Sequence, residues 1–297
     1  MIYTCTTNPS LDYYITLQEL KMGINNRTDM EMFEAGGKGV NVSIVLNNFH
    51  IQSNCLGFLG GFTKDYYLSF INNFPNIQPL FTTIKENTRI NIKLMDSKYE
   101  TGLNAIGPHI SDEEFNKFKS RLFNIYSDDI FVLSGSVQDE IEDRMVEIVK
   151  QLNEEGVRIV LDTEPQLIEQ LVESKPFMIK LNDTYLNFKN ADINVVAKDF
   201  VSKGVKFVLY SAVNKPSYLF TENETLLCNN LDNGLVNTTG SADSMVAGFI
   251  YGVIRGANSI ESFKYANAAS LATSMSNDLG SKDKIESLFD TIEVKSL

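Results

Sequence analysis

Residues 130–163 read IFVLSGSVQDEIEDRMVEIVKQLNEEGVRIVLDT. Two short apolar runs, 130–133 and 158–161, flank a segment at 139–154 that reads as a helix. A helix long enough to cross back between two such strands makes them parallel neighbours. The pattern continues on both sides. Upstream, a helix at 112–126 leads into the first run. Downstream, helices at 164–173 and 195–203 precede strands at 177–179 and 206–210. This alternation specifies an α/β fold with a mainly parallel sheet.

The flanks add to that core. Runs at 217–220 and 225–228 pair around Glu222-Asn223 as an antiparallel addition, and 235–237 leads into Gly240. Met245, Val246, Phe249, Ile250, Val253 and Ile254 then mark a strongly apolar helix, followed by helices at 260–275 and 282–289. At the other end, residues 1–7 read as a strand broken by Asn8-Pro9. The turn Gly36-Gly37-Lys38-Gly39 opens a helix carrying Val40, Ile44, Val45 and Leu46, and 53–58 is a buried strand. Residues 13–34 are mixed and polar, and 88–95 with 99–105 suggest a hairpin across Asp96-Ser97-Lys98. We expect one domain over 1–297, with segments 13–34 and 88–105 as a small second layer on one edge.

Composition narrows the function. The 297 residues are 43% hydrophobic and 22% charged, an ordinary balance for a chain with a sizeable core. Length alone would also permit two domains. A net charge of −12 argues against nucleic acid or an anionic membrane as main partner, while leaving room for a small anion in a locally basic pocket. Cys5, Cys55 and Cys228 are odd in number and far apart, so neither a disulfide framework nor a zinc site is expected. With no apolar run near 18 residues and no signal-like start, the expected setting is the cytoplasm.

Four stretches could carry chemistry. Thr239-Gly240-Ser241-Ala242-Asp243-Ser244 stands at the mouth of the apolar helix, where backbone N–H groups attract anions and an acid could act as a base. An ordinary helix cap explains the same residues. Gly36-Gly37-Lys38-Gly39-Val40-Asn41 suits close approach of a ligand to the backbone beside a cation, or it is merely a turn. It has neither P-loop nor dinucleotide-fold spacing. Arg89, Asn91 and Lys93 share one face of a strand, fit for phosphate and hydroxyl groups or simply for solvent. Asp12 is expected just past the first strand, at the sheet end where α/β folds bind ligands, although a local Asx turn would do as well. Ser134-Gly135-Ser136 is similarly placed. No G-x-S-x-G elbow supports hydrolase chemistry.

Taken in order, these motifs resemble the ribokinase-like (PfkB) carbohydrate kinases over essentially the whole chain, and within them the 1-phosphofructokinase and tagatose-6-phosphate kinase subgroup. The carrying segments are Asn8-Pro-Ser-Leu-Asp12, Gly36 to Asn41, Leu56-Gly-Phe-Leu-Gly-Gly61 and Asn87-Thr-Arg-Ile-Asn-Ile-Lys93. Asn104-Ala-Ile-Gly-Pro-His109, Ser134-Gly-Ser136 and Asn237-Thr-Thr-Gly-Ser-Ala-Asp-Ser244 complete them. The resemblance implies a three-layer α/β/α core with a small β-sheet lid, and transfer of the γ-phosphoryl group of ATP, with Mg2+, to a sugar-phosphate hydroxyl. It makes Asp243 the general base and the main chain of Gly240, Ser241, Ala242 and Asp243 the anion hole. Asp12, Gly37, Asn41 and Asn91 would hold the sugar. Lys38, Arg89 and Ser136 would grip its phosphate, with Arg27 as a helper. Lys180, Asn182 and Ser211 would face the nucleotide, Asn182 also serving the metal. A homodimer through the lid is the expected assembly.

Three departures fall on the nucleotide side. Ala242 stands where the family usually has glycine, and a positive φ there would cost about 1–2 kcal/mol. Tyr185 replaces a glutamate that organises hydrated Mg2+, leaving Asp183 as a stand-in from another direction. Ser211-Ala-Val-Asn-Lys-Pro216 replaces a glycine-rich segment. The expected activity is phosphorylation of fructose 1-phosphate to fructose 1,6-bisphosphate. Tagatose 6-phosphate is the next substrate, and a nucleotide-impaired sugar-phosphate sensor is the competing reading.

Overall fold

The computed structural model describes residues 1–229 and 239–297. The expected strand at 235–237, with Asn237 and Thr238 of the motif before Gly240, lies outside the described residues. In chain order the elements are β1 (Ile2–Thr6), β2 (Ser10–Thr16), β3 (Met30–Gly36), α1 (Lys38–Asn48), β4 (Ser53–Gly60), α2 (Gly61–Ile71), β5 (Ile77–Pro79), β6 (Thr82–Ile84), β7 (Arg89–Met95) and β8 (Glu100–Leu103). They continue with α3 (Asp112–Arg121), β9 (Ile130–Gly135), α4 (Asp139–Glu154), β10 (Arg158–Thr163), α5 (Pro165–Leu171), β11 (Met178–Leu181), α6 (Asp183–Lys189), α7 (Ile193–Ser202) and β12 (Phe207–Tyr210). The rest are β13 (Ser217–Phe220), β14 (Thr225–Cys228), α8 (Ser241–Ile254), α9 (Ser259–Ser274), α10 (Lys282–Phe289) and β15 (Val294–Ser296).

The main sheet runs β15-β14-β13-β12-β11-β10-β9-β1-β4-β5, with β6 pairing on β4. From β12 to β5 neighbours are parallel, and β13 to β15 are antiparallel additions. Strand alternation splits the core cleanly. Phe131, Leu133, Ile159 and Leu161 join one buried cluster with Phe115, Met145, Leu167 and Phe200 of α3, α4, α5 and α7. Ile130, Val132 and Val160 join the opposite one with Val45, Val246, Phe263 and Ile285 of α1, α8, α9 and α10. Helices therefore cover both faces, as continuous apolar strands require. This is the ribokinase-like three-layer arrangement that the motifs imply.

A second, four-stranded sheet has the order β3-β2-β7-β8. Its two middle strands are parallel, with Asp12 opposite Asn91. The β7–β8 turn closes where Asp96 accepts the Lys98 and Tyr99 amides, each at 2.8 Å. The polar segment at 13–34 thus contains paired strands, starting earlier than expected at Ser10. Asp12 is accordingly inside β2 rather than in a connection after β1, because Asn8-Pro9 only redirects the chain before it pairs with β7. The 11-residue α2 escapes the sequence reading because only Thr63, Tyr67 and Ile71 bury along it, one residue per turn.

Candidate active site

The C-terminal ends of β9, β10 and β11 and the start of α1 wall one cavity, and the Asn41–Asp243 hydrogen bond joins the first turns of α1 and α8 beside it. Gly37 caps α1 with φ 141°, and Gly240 caps α8 in the left-handed region with φ 76°. Ser241, Ala242 and Asp243 lie within the first turn of α8. The positive φ therefore belongs to Gly240, and Ala242 takes ordinary helical backbone. The strain expected at Ala242 does not arise. The positive end of α8 still faces the cleft, as an anion hole requires.

Asp243 is 5% exposed and accepts a 2.8 Å hydrogen bond from the Asn41 amide. One turn back along α1, Lys38 donates to Asp162 Oδ1 at 3.1 Å. The first turn of α1 thus grasps two buried carboxylates at once. Burial, reinforced by the Asp162 charge, pushes the Asp243 carboxyl up to about 6, against Lys38, Asn41 and Lys180. Asp162 holds the Lys38 ammonium above its ordinary range. Lys180 is buried and donates to the Leu181 carbonyl at 2.8 Å, and burial lowers it to about 8. A carboxylate tuned close to neutrality among cations is the chemistry of a general base.

The residues expected on the sugar side form a second group. Asn91 donates to Asp12 at 2.9 Å and accepts the Ala105 amide, while the Ser10 hydroxyl donates to the same Asp12 oxygen at 2.7 Å. Arg89 donates to the carbonyls of Ala105 and Asn8, at 2.8 and 2.9 Å. Burial lowers its affinity for its proton. Lys93 turns instead to Asn104 at 3.3 Å. Ser136 lies just past β9, its carbonyl taken by Thr7. Arg27 is exposed in the β2–β3 connection and forms no ion pair among the described residues. Buried polar atoms without a partner gather at these strand ends: Thr6 Oγ1, Asn8 Oδ1, Arg89 Nε, Ser134 Oγ and Asp162 Oδ2. Such a concentration of unmade hydrogen bonds suits a polar ligand.

Two cavities meet here. One, of about 230 Å³, is walled by Lys38, Ser136, Asp162, Lys180 and Asn182. The other, of about 430 Å³, is walled by Asn182, Ser211, Lys215, Ser241 and Ala242. Asn182 and Thr184 belong to both. The departures on the expected nucleotide side have local explanations. Tyr185 is buried, caps nothing, and gives its hydroxyl to Glu169 on α5. Asp183, which lines the larger cavity, accepts Tyr210 at 2.6 Å and Lys215 at 3.0 Å. Lys215 anchors the altered 211–216 loop to α6 through that pair.

Among the described residues no three His, Cys, Asp or Glu side chains cluster as a metal site, and Asn182 Oδ1 caps α6 through the Tyr185 amide. That donor set fits a magnesium ion held chiefly by the phosphates it accompanies. Sequence reasoning did not single out Asp162, which walls the smaller cavity and binds Lys38. The rule that selected Asp12, an acid at the C-terminal end of a parallel strand, applies directly to Asp162 in β10.

Residues 7–283 match the pfkB family carbohydrate kinases. The chain is 35% identical over 306 residues to 1-phosphofructokinase of Bacillus subtilis, covering 100% of both chains. It is 31% identical over 309 residues to tagatose-6-phosphate kinase of Staphylococcus epidermidis, covering 99% of each. The crystal structure of phosphofructokinase-2 from Escherichia coli superposes with a TM-score of 0.92 at 20% identity, covering 98% of this chain and 99% of that one, a likeness of fold. The match along almost the whole chain and the buried acid at the head of α8 agree: this protein belongs to the pfkB family of carbohydrate kinases.

Proposed function

We propose that the chain phosphorylates fructose 1-phosphate to fructose 1,6-bisphosphate with ATP and Mg2+, using Asp243 as general base. The observation that carries this reading is the position of Asp243: buried, hydrogen-bonded by Asn41, in the first turn of α8 beside Ser241 and Ala242 of the larger cavity, and under the charges of Lys38 and Asp162 of the smaller one. The first curated relatives named above add the substrate, since the B. subtilis protein is a 1-phosphofructokinase. Asp243 takes the proton of the attacking hydroxyl as its oxygen bonds to the γ-phosphorus. The bond to the bridging oxygen breaks, and ADP leaves. The amides of residues 240–243 receive the developing charge, and positioning supplies most of the acceleration. Asp12, Gly37, Asn41 and Asn91 hold the sugar, while Arg89, Lys38 and Ser136 hold its phosphate with Arg27 at the rim. Lys180, Asn182 and Ser211 face the nucleotide. Magnesium, when bound with it, screens the phosphate charges, and Asn182 is the residue that would reach it.

Residues 1–297 act in this reading as one catalytic unit, with the small sheet as its lid and as the contact of a homodimer in the cytoplasm. A coupled assay of ADP release with fructose 1-phosphate, tagatose 6-phosphate and fructose 6-phosphate tests it. Turnover fastest with fructose 1-phosphate is expected. Turnover fastest with tagatose 6-phosphate transfers the assignment to the second reading, which the S. epidermidis relative favours. Sugar-phosphate binding by calorimetry without any nucleotide response would instead mark a sensor.

A further inference from the structure

Asp162 has no part in the residue set above, although it is one of the best-enclosed carboxylates of the cleft, 4% exposed at the end of β10. Its two oxygens have different fates. Oδ1 accepts the Lys38 ammonium at 3.1 Å, while Oδ2 is buried without a partner. Lys38 and Asn41 are three residues apart on α1, hence on one face of its first turn. One of them binds Asp162 and the other Asp243. From this geometry, and resting on the kinase reading above, we infer that Asp162 is a positioning residue of phosphoryl transfer: it fixes the Lys38 ammonium beside Asp243 and supplies the second negative charge of that cluster.

The groups facing Asp243 come from three elements: Lys38 and Asn41 on α1, Asp162 on β10 and Lys180 on β11. Lys38, Asn41 and Lys180 favour its ionised form, whereas Asp162 opposes it. Two ammonium groups and an amide donor alone would leave this acid fully ionised but weakly proton-seeking. Burial first, and then the second carboxylate, restore its appetite for a proton. It also engages Lys38 so that the ammonium does not collapse onto Asp243 itself. Lys38 additionally senses Glu164, whose own carboxyl is raised by burial.

The test uses the full chain with Asp162→Asn and Asp162→Glu, following kcat against pH with saturating nucleotide. Removing the charge should move the acid limb of Asp162→Asn to lower pH by roughly half a unit to one unit. It should also lower the plateau kcat by roughly tenfold, a weaker base transferring less effectively. Asp162→Glu, which keeps the charge, should retain the wild-type limb even if its plateau falls. A merely structural role would lower activity or stability without displacing the limb, so an unmoved limb in a folded Asp162→Asn protein overturns the inference and leaves the kinase reading standing. Wild-type protein without turnover on any of the three sugar phosphates overturns both.

Discussion

Asn41 and Asp243 are 202 positions apart, yet the Asn41 amide donates to the Asp243 carboxylate at 2.8 Å and joins the first turns of α1 and α8. The motif at Gly36–Asn41 and the motif at Gly240–Ser244 are thereby one structure. With the carboxyl raised to about 6, the base is protonated and blocked below that pH and free above it. The acid limb of kcat/KM is therefore expected near pH 6, read by initial rates from pH 5 to 8.

Asp243→Asn should lower kcat by at least a hundredfold while leaving the affinity for sugar phosphate within a few-fold, since general-base catalysis contributes roughly 10²–10⁴. The amide can still accept from Asn41. Isothermal calorimetry with fructose 1-phosphate, beside the coupled assay, separates the two quantities. Near-full turnover by the variant would remove Asp243 from its role.

The same substitution should stabilise the fold at alkaline pH. A carboxyl raised from an unfolded value near 3.9 to about 6 binds its proton more tightly when folded, so its contribution favours folding at low pH and is lost as pH rises through 6. Above that, ionised Asp243 costs stability, by roughly 2–3 kcal/mol at most. Thermal melts should show Asp243→Asn above wild type at pH 8, with the gap narrowing towards pH 5.

Arg89 holds two backbone carbonyls and keeps a buried Nε free, a three-donor arrangement on one planar group. Arg89→Lys cannot reproduce it. Both Arg89→Lys and Arg89→Ala should raise the KM for sugar phosphate, the alanine by an amount corresponding to roughly 2–5 kcal/mol. The KM for nucleotide should be little changed, which steady-state kinetics in both substrates will show.

Restoring a glutamate at position 185 should fail. Tyr185 is packed against Phe200 and its hydroxyl meets Glu169, so Tyr185→Glu buries a second negative charge beside the first. A loss of roughly 3–5 kcal/mol is expected by urea denaturation, without any change in magnesium dependence. Tyr185→Phe, losing one hydrogen bond, should cost about 1 kcal/mol and leave turnover intact.

The parallel core was legible because its strands are short apolar runs separated by helices, and β13 and β14 fall where the turn at Glu222-Asn223 places them. The buried acid at the head of α8, the two glycine turns and the Arg89 face were legible as motifs. What escaped depends on contacts across the chain. The pairing of β2 with β3 and β7 is set by distant partners rather than by local alternation, so Asp12 looked like a loop residue. Asp162 has no motif around it and gains its meaning only when Lys38, 124 positions away, reaches it. The cost assigned to Ala242 rested on which residue of the turn bends backwards, and that is Gly240.

In the small sheet, Asp12 and Asn91 face each other across β2 and β7 and are bonded to one another, with Ser10 on the same oxygen. Exchanging Asn91 leaves Asp12 with Ser10 alone, and exchanging Asp12 strips the Asn91 amide of its acceptor. A replacement at one position is therefore best tolerated with a matching replacement at the other, so the two behave as a single inherited unit of the small sheet.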